Sequence, residues 1–216
     1  MRKGIYIYPI ISGIFVLSLL YFGNYSNSQE SKAAIDSATL STTVLEYISF
    51  TLTAGDTVAF GDLTPGTPIK APAASTVASV TTNAANGYTL GLHDGVAAAN
   101  SSMIHTDAAT YITDTTNSGT IAVPAAWGAA TGVGITMWDA DTNYETKWCA
   151  DVCSTYDDTD NLYAAIPETA TTAHTVTGVV SETDTSSWAF EIDVLNTQKT
   201  GAYSGDVTFT ATAVLS

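Results

Sequence analysis

The sequence predicts an all-β protein, an antiparallel β-sandwich of immunoglobulin-like character that carries a disulfide-tied acidic loop. Segments in which apolar and polar residues alternate recur along the chain, and this period is typical of half-buried strands. No long segment has the period of a helix, and clusters of Gly, Pro, Asn and Asp separate the alternating segments. About eight short strands of this kind favour two packed antiparallel sheets.

The first 33 residues have the layout of a secretory leader. Arg2 and Lys3 supply the positive charge, and an apolar run at 5–22 precedes a polar stretch that ends in small residues. We therefore expect residues 1–33 to be a signal peptide and residues 34–216 to form a single β-sandwich domain. The apolar run is also long enough to span a membrane. An uncleaved N-terminal anchor is therefore the alternative, and the membrane would then be contacted only through this segment.

The chain is strongly acidic. It has 6 Lys and Arg against 21 Asp and Glu, a formal net charge of −15, and removal of the leader would take this charge to −17. A nucleic-acid backbone requires clustered Lys and Arg, so the composition excludes nucleic acid as a partner. Anionic lipid surfaces are disfavoured for the same reason. The same acidity favours divalent cations.

Eight segments alternate as strands do. In 188–195 the apolar residues face one way while Glu191 and Asp193 face the other, and 207–214 alternates between apolar and Thr residues. The segment 95–130 is rich in Ala, Thr, Asn and Gly, and we expect a long decorated loop there. The remaining predicted strands are 44–52, 57–63, 76–82, 88–93, 133–138 and 174–180.

Three connections have recognisable turn chemistry. Asn86-Gly87 in TTNAANGYTLGL is a strong hairpin signal, because both residues tolerate positive φ. In LTPGTP, Pro65 and Gly66 fit the two central positions of a type II turn. The stretch NTQKTGAYSG between the last two predicted strands is long enough to form the loop of a hairpin.

Four motifs carry a resemblance to known proteins. FGDLTPGTP, TTNAANGYTL, AAWG and TGAYSGDVTFTATA follow one another in this order. In these motifs the chain resembles a family of secreted surface proteins of bacteria with reduced genomes. It is more distantly similar to WxL-type cell-wall surface domains, which share a closing strand of the form G-x-Y-x-G-x-[IV]-x-[FWY]-x. The resemblance covers most of residues 44–214. It implies a β-sandwich on the cell exterior and supplies no catalytic residues to carry over. The Trp-x-Leu signatures of the WxL group are missing from this chain.

Both cysteines, Cys149 and Cys153, lie in the acidic and aromatic stretch 137–163. An even cysteine count in an exported chain predicts a disulfide. With three residues between the cysteines, the segment has to curl into a turn or one helical turn for the bridge to form. A redox centre would require C-x-x-C at the start of a helix, so we expect a structural staple.

Four oxygen-bearing residues alternate in DADTNYE. They are Asp139, Asp141, Asn143 and Glu145. Ca²⁺ takes oxygen ligands, and the pattern resembles the opening of a helical-loop calcium site. Tyr144, however, stands where that loop requires glycine, and Ala150 stands where it requires glutamate. Two interpretations follow: a looser calcium cage, or a solvated acidic loop with no cofactor.

Four aromatic residues of the same region are candidates for a sugar-stacking platform. They are Trp138, Trp148, Tyr144 and Tyr156. Aromatic faces stack on sugar rings, but aromatic residues also fill cores and cover disulfides. Packing in the core or on the disulfide is therefore the alternative for these four.

The sequence contains no constellation typical of an enzyme. The three histidines are scattered without a second ligand at metal spacing, and no G-x-S-x-G elbow is present. We therefore expect a non-enzymatic cell-surface or extracellular protein with a structural or adhesive role, whose partners are cell-envelope glycan or other surface proteins. One alternative is a glycan- or cell-wall-binding module, whose binding would depend on calcium if the acidic loop forms a calcium cage. Another is a self-associating subunit that polymerises by strand exchange, because its N-terminal strand region could complete a neighbour's sheet.

Overall fold

The computed structural model describes residues 37–71, 76–96, 98–115, 119–144 and 146–215. The predicted leader lies outside these residues, so its cleavage and its use as an anchor both stay predictions. Among the described residues no helix has the length and apolar character needed to cross a membrane. The chain divides into two units, Met1–Thr43 and Val44–Ser216, and all the described strands lie in the second.

Fourteen strands form within the described residues, with one short 3-10 helix at Thr146–Trp148. The strands are β1 (Ile48–Ala54), β2 (Ile69–Lys70), β3 (Thr76–Thr82), β4 (Tyr88–Asp94), β5 (Ser101–His105), β6 (Tyr111–Thr113), β7 (Gly119–Thr120), β8 (Val123–Ala126), β9 (Gly132–Ala140), β10 (Leu162–Ala165), β11 (Thr171–Val176), β12 (Val180–Asp193), β13 (Tyr203–Ser204) and β14 (Val207–Ala213).

The strands form three sheets. The largest has eight strands in the order β1-β3-β12-β9-β10-β8-β7, and β2 also pairs with β12. The other two sheets have the orders β11-β4-β14 and β13-β5-β6. Pairing between these strands is antiparallel throughout. The predicted all-β antiparallel fold is confirmed, while its immunoglobulin-like character stays a prediction.

The core lies between the eight-stranded sheet and the β11-β4-β14 sheet. Alternate residues of β12, Trp188 and Ile192 among them, are buried together with Leu90 and Leu92 of β4. The ring of Trp188 meets that of Phe209 on β14 edge to face, with centroids 5.6 Å apart. The period-two alternation of these strands therefore reflects one face of each sheet packing on the other.

The opposite face of the eight-stranded sheet is covered as well. Glu191 and Asp193 point away from the core, yet they are only 4% and 6% exposed. A Cβ added to Gly134, the β9 partner of Glu191, would lie 2.7 Å from the ring of Trp127. That ring meets Tyr163 edge to face and forms a second buried cluster. Residues on this side of β12 are therefore buried by connections and not by a third sheet.

Three predictions about strand positions are wrong: 57–63, 95–130 and 174–180, the last of which covers the end of β11, the following turn and the first residue of β12. Residues 57–63 form no strand but lie within the connection from β1 to β2, where Gly55 and Gly61 adopt positive φ of 66° and 76°. Val58 and Phe60 alternate because they pack at the edge of the core, without a ladder partner. The segment 95–130 is not a loop, since it contains β5 to β8, and the short strands β2, β10 and β13 were not predicted. Strands of two to five residues are too short for alternation to be recognised.

The type II turn is confirmed, whereas both predicted hairpins are wrong. Gly66 has φ of 78°, and the amide of Thr67 donates to the carbonyl of Thr64 at 3.0 Å. Gly87 also has positive φ, at 81°. However, its turn joins β3 of the largest sheet to β4 of another sheet, so the two strands do not pair. The stretch after β12 likewise crosses between sheets, because β14 pairs with β4.

Candidate functional site

The predicted disulfide between Cys149 and Cys153 is present, with their Cα atoms 5.8 Å apart. The chain curls as expected, because the 3-10 helix Thr146–Trp148 ends directly before the first cysteine, whose amide donates to the carbonyl of Thr146 at 3.2 Å. The amide of Ala150 donates to the carbonyl of Asp160 at 2.9 Å. The bond from Ala150 and the bridge between Cys149 and Asn161 join the two ends of a loop, residues 149–161, which we call the stapled loop.

The stapled loop is held against the sheet by a lysine. The ammonium group of Lys70 on β2 donates to the carbonyl oxygens of Asp157 and Asp158, at 2.8 and 2.9 Å. The carboxylate of Asp158 turns inward and accepts hydrogen bonds from the amides of Ser154 and Asp160. Lys70 therefore fixes the main chain of the loop, while Asp151 and Asp157 remain exposed.

The predicted calcium ligands do not converge within the described residues. Asp141 accepts hydrogen bonds from the amide and hydroxyl of Thr185, at 2.9 and 2.6 Å. Asn143 has φ of 53° and donates to the carbonyl of Thr175 at 3.4 Å. Asp139 is exposed at the end of β9, and Glu145 lies outside the described residues. No group of three His, Cys, Asp or Glu side chains that could hold a metal occurs in the described ranges. Calcium binding stays a prediction.

Trp148 is not part of an exposed platform, and its place among the sugar-stacking residues was wrong. It is 0% exposed, and its ring meets the Trp188 ring edge to face at 5.6 Å. The Lys147 ammonium lies 5.4 Å from the centre of the Trp148 ring. The 3-10 helix turns Trp148 into the core, although the residue is next to the disulfide in sequence. Its role is to close one end of the apolar core.

The other three aromatic candidates are half-buried. Trp138 lies opposite a register shift between β9 and β12, at Ser187 and Trp188, so a β-bulge sets its direction. Tyr144 packs against the main core, and burial raises the pKa of its hydroxyl. Tyr156 lies in the stapled loop. Each of these three aromatic residues therefore retains some exposed surface, but Tyr144 is chiefly a packing residue.

A groove of about 700 Å³ runs between residues 58–65 and 198–203. Its walls include apolar side chains of Ile112 and Ile192. The polar groups at its rim bond to one another: the Gln198 amide donates to the Tyr203 hydroxyl at 2.7 Å, and that hydroxyl donates to the Lys199 carbonyl at 2.8 Å. The volume suits a small molecule, but these rim groups do not converge on a ligand position.

Several carboxyl groups are buried without any indication from the sequence, and Asp114 and Asp94 are two of them. Asp114 and Asp94 are each 4% exposed. Burial raises the pKa of Asp114 to about 6, and the charges of Asp94 and Glu168 add to this rise, while a hydrogen bond donated by Ser102 opposes it. Burial also raises the pKa of Asp94. Both acids lie at strand ends in a Thr- and Ala-rich region, where no pattern distinguishes a buried acid from a solvated one.

No family model matches the chain, and a search of curated proteins found no match. The resemblance to secreted surface proteins therefore stays a prediction.

Proposed function

We propose that the protein is a non-enzymatic module of the cell exterior with a structural or adhesive role. The observation that carries this proposal is the disulfide that joins the only two cysteines of the chain. Disulfides persist in oxidising compartments and are rare in the cytosol. The formal net charge of −15 keeps such a domain soluble outside the cell.

The use that the fold makes of its polar and aromatic residues supports a structural role. Asp141 and Asn143 bond to neighbouring strands, and Trp148 fills the core. Residues that looked suited to chemistry in the sequence therefore stabilise the domain. We infer that the exposed loops and strand edges are the parts that meet partners.

The location can be tested in cells with an epitope tag at the C-terminus of the full chain. We expect antibody to label intact cells, and we expect a thiol-blocking reagent to modify the cysteines only after reduction. A tag that becomes accessible only after lysis, together with thiols that react without reduction, would contradict the proposal. A tagged cytosolic protein with free thiols serves as the control for cell integrity.

Glycan or cell-wall binding is the second candidate, and the bulge at Trp138 is the observation that favours it. β-bulges often redirect a side chain near a binding site, and a half-exposed indole can stack on a sugar. The test is retention of the protein on isolated cell envelopes, with Ca²⁺ and with chelator. Binding that falls in the Trp138→Ala variant, but not in the Tyr47→Ala variant, supports this candidate. Equal retention of both variants and the wild type removes it.

A further inference from the structure

The first strand of the large sheet is an edge strand and is less buried than its neighbour β3. β1 is at one end of the strand order and pairs only with β3, from Ile48 opposite Thr82 to Ala54 opposite Val77. No residue of β1 is fully buried, whereas five of the seven residues of β3 are. Hydroxyl groups of β3 donate hydrogen bonds to the main chain at both ends of β1, so these bonds have to re-form in any sheet that β1 enters.

The contacts of β1 are nevertheless specific. Its residues Ile48, Phe50 and Leu52 are half-buried against the main core. They lie on the sheet beside β3, whose Ala78 and Val80 are each 1% exposed. Removal of β1 would expose this apolar surface together with one edge of hydrogen-bonding groups. The vacated edge therefore requires an alternating strand with the same apolar residues.

The connection that follows β1 forms no strand and contains three glycines. Gly55, Gly61 and Gly66 all adopt positive φ, and the positions of Gly61 and Gly66 are open enough that an added Cβ would meet no atom within 4 Å. Cavities of about 160 and 700 Å³ lie on either side of Val58 and Phe60. The far end is fixed, because the amide of Gly66 donates to the carbonyl of Val194 at 3.1 Å.

The length of this connection allows it to reach a second molecule. About ten residues separate Gly55 from the anchored Gly66, and an extended chain of this length spans up to ~35 Å. A β1 strand on such a tether can enter the sheet of a neighbouring copy while its own domain stays folded. Exchange of an identical element reproduces every strand contact, so it costs little.

We propose that β1 is exchanged between copies of this chain, each copy inserting its Ile48–Ala54 strand beside β3 of the next. This inference rests on the proposed structural role outside the cell and names the partner for it, a second copy. The register identifies the strand that would fill the vacated edge of β3. A β1 strand from a second copy can form the same six residue pairs with β3 that form within one copy. The length of the connection makes either a closed pair or an open chain accessible.

The direct test uses one cysteine on each of two full-length chains. The hydroxyl of Thr53 lies 3.1 Å from that of Ser79, so cysteines at these positions can form a disulfide across the β1–β3 pair. Thr53→Cys and Ser79→Cys chains, each with its own tag, are co-expressed with export and separated without reduction. We expect a disulfide-linked heterodimer in which mass spectrometry joins the peptides that contain positions 53 and 79.

The control replaces Thr53→Cys with Thr172→Cys, an exposed threonine on β11, which should give no linked heterodimer with Ser79→Cys. The double variant Thr53→Cys/Ser79→Cys shows whether the bridge can form at all. If the double variant forms its bridge and the mixed single variants do not, exchange is overturned. Linkage in the control pair as well would also overturn it, because the cross-link would then not depend on β1.

A second measurement decides the matter if the cysteine variants fail to fold. We expect the wild-type chain to form dimers or larger species as its concentration rises, and to lose them when a peptide of residues 44–54 is added. The same peptide with Phe50→Asp should have no effect. A strictly monomeric chain, or assemblies that the peptide leaves intact, would overturn the proposal. If the chain stays monomeric but antibody still labels the tag on intact cells, strand exchange is overturned and the proposed surface role is not. If the chain exchanges β1 but the tag is accessible only after lysis, the surface role is overturned and exchange is not.

Discussion

Replacement of Asp114 with asparagine should stabilise the protein near neutral pH. The carboxyl group is buried, and its pKa of about 6 lies above the ordinary value of 3.8, mainly because burial disfavours the charged form. Asparagine has almost the same shape, and its side-chain carbonyl can still accept the hydrogen bond from Ser102. The substitution therefore removes a buried charge without removing the polar contact.

The sign and size of the effect follow from the two pKa values. Between pH 3.8 and about 6 the folded chain holds a proton at Asp114 that the unfolded chain has released, so the free energy of unfolding falls as pH rises through this window. The penalty is complete above pH 6. A shift of about two pKa units corresponds to roughly 3 kcal/mol, which is an upper limit because water and side chains relax around a charge. The variant should match the wild type near pH 4 and exceed it at pH 7 by up to this amount.

Urea unfolding at pH 4, 5, 6 and 7, followed by tryptophan fluorescence with the disulfide intact, measures this difference. The control is Asp151→Asn, which removes an exposed acid of the same type and should change stability little at any of these pH values. A variant that is less stable at pH 7, or one whose difference from the wild type stays constant from pH 4 to pH 7, would refute the reasoning. The second result would mean that Asp114 is well solvated.

Three further substitutions test the packing. Replacing Cys149 and Cys153 with serine should lower the free energy of unfolding by about 2 kcal/mol, the value expected for opening so short a ring, and calorimetry under oxidising conditions measures it. Trp148→Ala should lower the free energy of unfolding by about 3–5 kcal/mol because it empties a fully buried site, and Trp138→Ala should lower it clearly less. Equal losses of stability, measured by urea unfolding, would contradict the difference in burial between the two side chains. Gly87→Ala should lower the melting temperature, because the added Cβ would lie 2.0 Å from a carbonyl oxygen of β11 at a φ of 81°, whereas Gly61→Ala, which meets no atom, should lower it less.

Alternation located three strands almost completely but missed the first half of β12, the longest strand, where residues 180–187 are mostly polar. β3, β4 and β14 begin and end within one or two residues of the predicted segments, since their apolar residues recur at every second position. The same signal failed at 57–63, where Val58 and Phe60 pack on the core without a strand beside them. Alternation reports burial, and burial does not require a ladder of hydrogen bonds.

The stapled loop shows how far local sequence determines a site. Cys149 and Cys153 were correctly paired, because a chain with only two cysteines has one possible internal pairing. Trp148, directly before them, was a candidate for the exposed platform, and the alternative, packing in the core, is the one that the structure bears out. A single 3-10 turn decides whether that ring faces solvent or Trp188, and its direction depends on the whole end of the sandwich.

The sequence by itself determined the all-β class, the disulfide and the positive φ at Gly66, because composition, chain spacing and local sterics suffice for these features. Only the tertiary structure decided which strands pair. Asn86-Gly87 makes a turn whether or not the flanking strands pair. Here the turn joins strands of two different sheets, because the strand that each one pairs with depends on which buried faces meet. The tertiary structure also decided the protonation of Asp114, since a pKa responds to burial and to charges such as that of Glu168, which is distant in the chain and close only in the fold.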